Sequence, residues 1–176
     1  MAKSIWATDP SHSEIVFKVK HMMFTTVSGK FTDFEVTIEN EDDKFETSQI
    51  SFSAKTASVD TRNLDRDNHL RSTDFFDADK FPVISFLSTG ISKISENQFE
   101  ISGDLTIKDV TKNVILTTAY SGLMKDPWDH IKIGVSLAGE INRKEFGLTW
   151  NSTLETGGVL VAEEIKLIAE IQLIKE

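Results

Sequence analysis

No cysteine occurs in the 176 residues, which excludes disulfides, thiolate catalysis and zinc–thiolate sites while leaving the compartment open. Positive charge is not in excess either: 19 Lys and Arg stand against 28 Asp and Glu, a formal net charge of −9. That field repels phosphate backbones and anionic membrane surfaces, so nucleic acid is not an expected partner. No run approaches the ~20 apolar residues needed to cross a bilayer, and the chain is read as not membrane-spanning. The opening Met1-Ala2-Lys3-Ser4-Ile5-Trp6 lacks the apolar stretch and small-residue cleavage site of a secretory signal. The expected location is cytoplasmic, or periplasmic or secreted if a leader has been trimmed. Internal repeats and low-complexity segments are lacking too. With 39% hydrophobic and 27% charged residues, the chain is expected to form one globular domain over residues 1–176.

Catalytic motifs are equally scarce. The histidines, His12, His21, His69 and His130, show neither His-Glu-x-x-His nor paired i, i+2 strand spacing, the usual ways one element presents two metal ligands. Asp9-x-x-His12-Ser13 contains triad residue types but no nucleophile elbow. Asn63-x-Asp65-x-Asp67 followed by Asp74 mimics the spacing of a calcium loop. It fails on detail, because Asn68 stands at the required glycine and Asp74 at the bidentate glutamate. No metal and no cofactor are expected, and a hydrolase or metal-dependent enzyme built from His12, His21 and His69 stands as a rival reading.

What the sequence does have is period two. Phe99, Ile101, Gly103, Leu105 and Ile107 alternate with polar residues, as do Ile131 to Ile141 and Ile165 to Leu173, each a strand with one dry face. Near the start, Ile15, Phe17 and Val19 share a parity that His21 continues, which turns His21 inward. Two longer segments change parity midway. Val27, Gly29 and Phe31 give way to Phe34, Val36 and Ile38, which predicts a β-bulge near Thr32-Asp33, and the same slip recurs near Lys55-Thr56. Long bent strands, with Gly29, Gly103 and Gly139 on the inward parity to permit coiling, point to a closed sheet. A short turn is expected over Met22-Met23-Phe24.

Between the strands, residues 61–72 read as a short helix. Asn63 is its N-cap, Asp65 and Asp67 favour its positive end, and Asp67 to Arg71 has the favourable i, i+4 orientation. Arg62, Arg66 and His69 share one face by spacing, and a guanidinium edge there suits an anionic headgroup at the mouth of a barrel. The alternative is a salt-bridged helix that closes the barrel. Twelve Phe against one Tyr favour aromatic surface that needs no polar partner, suited either to a dry lining or to ordinary core.

An ordered set of motifs runs along nearly the whole chain. It comprises Asp9-Pro10-Ser11-His12-Ser13 with Phe17, Lys20-His21, Val27-Ser28-Gly29-Lys30-Phe31 and Ser58-Val59-Asp60-Thr61. The long run from Arg66 to Asp77 follows, then Phe81-Pro82-Val83-Ile84-Ser85-Phe86, Gly103-Asp104-Leu105-Thr106-Ile107, Val110-Thr111-Lys112 and Asn142-Arg143-Lys144-Glu145-Phe146-Gly147-Leu148. In these the chain resembles the YceI family of lipocalin-like, polyisoprenoid-binding proteins. The resemblance implies an all-β, antiparallel eight-stranded lipocalin-like barrel with one or two short helices covering an end, an elongated pocket for isoprenoids or other long-chain amphiphiles, and a homodimer. It implies neither a cofactor nor a reaction.

One departure is Asp109, where the family usually has glycine; aspartate tolerates a left-handed turn, so the turn is expected to survive. Inward parity and the resemblance together nominate Phe17, Val19, His21, Phe24, Phe31, Ile84, Phe86, Leu105, Ile107, Ile133, Val135 and Leu137 as lining. Arg62, Arg66 and His69 are the headgroup candidates at the mouth. The expected function is carriage or sequestration of a polyisoprenoid, isoprenoid quinone or fatty-acid-like lipid. A second rival is an interaction or stress-response module with a filled barrel.

Overall fold

The computed structural model describes residues 2–155 and 157–176. In chain order its elements are β1 (Lys3–Thr8), β2 (Glu14–His21), β3 (Thr25–Phe31), β4 (Phe34–Glu41), β5 (Lys44–Lys55), β6 (Val59–Asp60), α1 (Leu64–Arg71), β7 (Val83–Ser95), β8 (Gln98–Ile107), β9 (Val110–Tyr120), β10 (Met124–Lys125), β11 (Ile131–Asn142) and β12 (Val161–Lys175). Short 3-10 turns cover Pro10–His12, Thr56–Ser58 and Arg143–Phe146. Pairing runs β11-β9-β8-β7-β5-β4-β1-β12, and β12 pairs again with β11, which closes the ring as an antiparallel eight-stranded barrel. Alternating side chains therefore divide into an inner and an outer set.

Three of the eight staves are compound. The far half of β12 pairs with β1 through Trp6↔Lys175 to Thr8↔Leu173, while its near half pairs with β2 through Ile165↔Val19 to Glu170↔Glu14. Thus β1 and β2 are one stave interrupted by the turn at Pro10–His12. In the same way β3 pairs with β2 and β6, and β4 with β1 and β5. The parity changes expected near Thr32-Asp33 and Lys55-Thr56 fall on these joints, but neither is a one-residue bulge. Phe31 is opposite Val59 and Phe34 opposite Ala54, so two residues on one stave face a four-residue stretch, including the 3-10 turn, on the next. Thr32 N–H donates to Ser58 O at 3.2 Å and Lys55 N–H to Asp33 O at 2.9 Å, which satisfies the broken ladder.

The helix forms where the sequence places it. Asn63 Oδ1 accepts the Arg66 N–H at 3.0 Å as N-cap, and α1 sits over one end of the barrel beside β6. Its charges are used differently from the expectation. Arg71 does not pair with Asp67; its Nε donates to Ala57 O at 2.9 Å and its Nη1 to Asn68 Oδ1 at 2.8 Å. Asp67 turns inward and accepts from the N–H and hydroxyl of Thr61. The arginines Arg66 and Arg71 thus fasten the cover through neutral acceptors rather than through carboxylates. In the β8–β9 turn the left-handed residue is Lys108, at φ 58°, not Asp109.

The opposite end of the barrel is solid. Trp6, Ile38, Phe45, Phe99, Ile101, Ile133 and Leu173 are almost wholly buried there, and Tyr120 stacks on Phe45 at 4.5 Å. The one polar group of the plug's indole is satisfied, since Trp6 Nε1 donates to Asn40 Oδ1 at 3.1 Å.

Candidate functional site

The capped half of the barrel is hollow. A cavity of about 340 Å³ lies under α1, within the size range of small-molecule sites. Its floor and walls come from inward positions of the staves: Phe17 and Val19 of β2, Val27 and Phe31 of β3, Ile50 and Phe52 of β5, Ile84 and Phe86 of β7, Leu105 and Ile107 of β8. Val114 and Leu116 of β9, Leu137 and Ile141 of β11, and Ile165, Leu167 and Ala169 of β12 complete it. Aromatic rings close the top. Phe31 meets Phe17 at 5.6 Å and Phe76 at 5.8 Å, while His69 packs edge-on against Phe75 at 5.0 Å and Trp150 at 4.6 Å.

Eleven of the twelve nominated lining residues have the inward parity, and nine of those border the cavity: Phe17, Val19, His21, Phe31, Ile84, Phe86, Leu105, Ile107 and Leu137. Three nominations need correction. Phe24 is 74% exposed at the tip of the β2–β3 hairpin, where Met22 and Met23 take φ of 52° and 70° and swing the chain out of the barrel. Ile133, 1% exposed, and Val135 have the inward parity but lie towards the plugged end, beyond the cavity.

Of the mouth candidates, Arg66 and His69 border the cavity. Arg66 Nε and Nη2 donate to Thr61 Oγ1 and Thr61 O, each at 2.8 Å, and His69 Nε2 lies 2.9 Å from Asp74 Oδ2. Arg62 does not border it. It precedes the helix at φ 63°, so the helical spacing that grouped it with Arg66 and His69 does not apply.

Several wall residues escaped the sequence reading. Phe75 and Phe76 lie in the turn after α1, and Leu148 and Trp150 in the irregular stretch before β12, where no periodicity marks an inward side. Arg143, 2% exposed, was visible only as part of a family motif. Its Nη1 donates to Leu148 O at 2.6 Å and Trp150 O at 2.9 Å, its Nε to Ala162 O at 2.8 Å and its Nη2 to Val161 O at 3.2 Å. Burial pushes its guanidinium below the usual arginine range.

The four histidines do not converge on one site. His21 is opposite Val161 at one end of β12, whereas His12 lies beside Gln172 near the other. Eleven residues of strand separate those points, on the order of 35 Å at ~3.3 Å per residue. His12 instead pairs with Asp9 at 2.9 Å, and His130 with Asp126 at 3.0 Å. Burial opposes the charge of Asp126, but the His130 and Trp128 amides, the His130 ring and Lys132 bring its carboxyl down to about 2. These pairs fasten loops at the plugged end. His12 is thereby separated from His21 and His69, which both border the cavity. The half-hollow interior likewise differs from the filled barrel expected of an interaction module.

Comparison with known proteins agrees with this architecture. The family model described as a YceI-like domain matches residues 6–173. A UPF0312 protein of Staphylococcus aureus strain USA300 is 35% identical over 165 residues, which covers 93% of this chain and 94% of the relative. Among solved structures, the YCEI protein of Campylobacter jejuni superposes with a TM-score of 0.78 at 33% identity, covering 89% of this chain and 90% of that one. BcnA of Burkholderia cenocepacia gives 0.80 at 20% identity over 94% and 98%, and a polyisoprenoid binding domain from Saccharophagus degradans gives 0.70 at 10% over 97% and 98%. With its closed eight-stranded barrel and a match that spans nearly all of its length, the chain belongs to the YceI-like family.

Proposed function

We propose that the hollow half of the barrel holds the chain of a long apolar or amphiphilic lipid, a polyisoprenoid or a molecule of similar shape, and that the protein carries or sequesters it without chemical change. The observation that carries this reading is a cavity of about 340 Å³ walled almost entirely by Phe, Ile, Leu and Val side chains. Water in such a space has few hydrogen-bond partners, and an apolar guest displaces it favourably. At ~25 cal/mol per Å², burying ~400 Å² of ligand surface contributes roughly 10 kcal/mol before association costs. Membership of the YceI-like family supports the reading, and so does the name of the Saccharophagus degradans neighbour. Assembly as a homodimer belongs to the same proposal.

Trp150 supplies a readout. It borders the cavity, whereas Trp6 is buried in the plug and Trp128 is exposed on the loop before β11. Organic extraction of purified protein followed by mass spectrometry is expected to release a long-chain species, and added farnesol or longer isoprenols are expected to shift emission from Trp150. Leu105→Glu places a charge on the wall and is expected to abolish both while circular dichroism reports an intact sheet. Absence of any extracted lipid, together with no response to added isoprenols or fatty alcohols, overturns the proposal.

A further inference from the structure

Although the chain has 28 acidic residues against 19 basic ones, no Asp or Glu among the described residues lines the hollow half of the barrel. The titratable residues that border it are Lys20, His21, Arg66, His69 and Arg143, all of them bases. They gather at the capped end: Lys20 and His21 close β2, Arg66 and His69 lie on α1, and Arg143 follows β11.

Arg143 has the most unusual surroundings. It is 2% exposed, and four of its five N–H bonds go to the neutral carbonyls of Leu148, Trp150, Val161 and Ala162. No carboxylate lies within ion-pair distance among the described residues, and Glu163, the acid whose field reaches it, is bound to Lys144 at 2.8 Å in an exposed pair. Arg66 commits Nε and Nη2 to Thr61, while its Nη1 has no partner among the described residues. Asp67 and Arg66 meet on opposite sides of Thr61, whose hydroxyl donates to the carboxylate and accepts from Arg66 Nε, an arrangement that leaves Arg66 Nη1 uncommitted; Asp74 lies 2.9 Å from His69 Nε2.

A buried cation without a counter-ion is costly, and a negatively charged guest removes that cost at the moment it binds. We infer that the occupant is an anionic amphiphile, with a carboxylate or phosphate head held at the capped end by Arg66 in the field of Arg143, and a tail that runs towards the plug. This rests on the lipid-binding reading of the same cavity. A guanidinium fork matches either head, because both present paired oxygens.

The test uses the full chain, stripped of co-purified lipid on a hydrophobic resin, and titrates oleate against oleyl alcohol and farnesyl phosphate against farnesol. The anion of at least one pair is expected to bind about tenfold more tightly than its alcohol, equivalent to about 1.4 kcal/mol. A preference confined to the oleate pair identifies a carboxylate head, and one confined to the farnesyl pair a phosphate head. Arg66→Gln is expected to remove most of the preference and leave the alcohols within about twofold of their original affinity. Should that variant fail to fold, the comparison of acid and alcohol on the unaltered protein decides alone. Equal affinity for anion and alcohol in both pairs overturns the headgroup assignment while lipid binding stands; no binding of any of the four overturns both.

Discussion

A β-carbon built on Gly29 stands 2.3 Å from the tip of the Phe17 ring, and one built on Gly103 stands 2.2 Å from the tip of Phe86. Each ring lies over a glycine of the neighbouring strand, which keeps it against the wall and out of the lumen. The two positions nevertheless differ in what has to yield. At Gly29 the three nearest atoms all belong to the Phe17 ring, whereas at Gly103 the backbone oxygen of Leu87 is also only 2.8 Å away. Gly29→Ala is therefore expected to swing Phe17 into the cavity, weakening isoprenol binding by about tenfold or more with a small change in Tm. Gly103→Ala is expected to strain the sheet itself, at about 1–3 kcal/mol. Titration with farnesol and thermal melts of both variants separate the outcomes; unchanged affinity in Gly29→Ala would show that the ring's place against the wall is unimportant. The sequence discloses that both glycines face inward, because parity is a local property. It does not disclose the rings above them, since that contact depends on the cross-strand register that sets Phe17 opposite Gly29.

Among the elements, the stretch between the 3-10 turn at Arg143–Phe146 and β12 is the part of the barrel end with least regular structure, and Arg143 fastens it from beneath. The guanidinium ties the carbonyls of Leu148 and Trp150 to those of Val161 and Ala162. Arg143→Met keeps the apolar stem but strands these acceptors, and losses of about 1–3 kcal/mol for each buried group left unsatisfied predict a large fall in Tm. Hydrogen exchange is expected to quicken first at residues 148–155 and 157–161, ahead of the plug. If exchange instead rises evenly over the barrel, the side chain is not a local clasp. Regular elements were legible because their period repeats over many residues, and the N-cap of α1 because Asn63 acts within three positions. Two of the three compound staves were legible, and only as slips of parity, while the joint at Pro10–His12 was not: a hydrophobic pattern shows that the pleat changes phase, but the number of residues spanning the gap is set by the facing stave. The contribution of this irregular stretch to the wall, through Leu148 and Trp150, left no trace in the pattern.

At the scale of the molecule, one strand alphabet builds two different interiors. Ile133, Val135, Leu137 and Ile141 share a face of β11, yet the first two lie in or beside the plug and the last two on the cavity wall. Period two reports which side of a sheet a residue faces and is blind to depth along the barrel axis, which is why Ile133 and Val135 were read as lining. The difference in depth has an energetic counterpart. Plug residues such as Trp6 and Leu173 are fully enclosed by neighbours, while wall residues such as Phe17 and Leu167 have an empty side and forgo part of their dispersion energy. Local opening free energies follow packing, so the ligand-free protein is expected to exchange amide hydrogens faster along β2, β3 and the half of β12 paired with β2 than around Ile133 and Leu173. A guest in the cavity binds only the closed state and stabilises it by mass action, by about 2.7 kcal/mol at a free concentration one hundred times Kd. Protection is thus expected to rise selectively in β2, β3 and the near half of β12 when farnesol is added. Protection that rose equally in the plug, or not at all in the hollow half at saturating ligand, would mean that the guest binds somewhere other than this cavity.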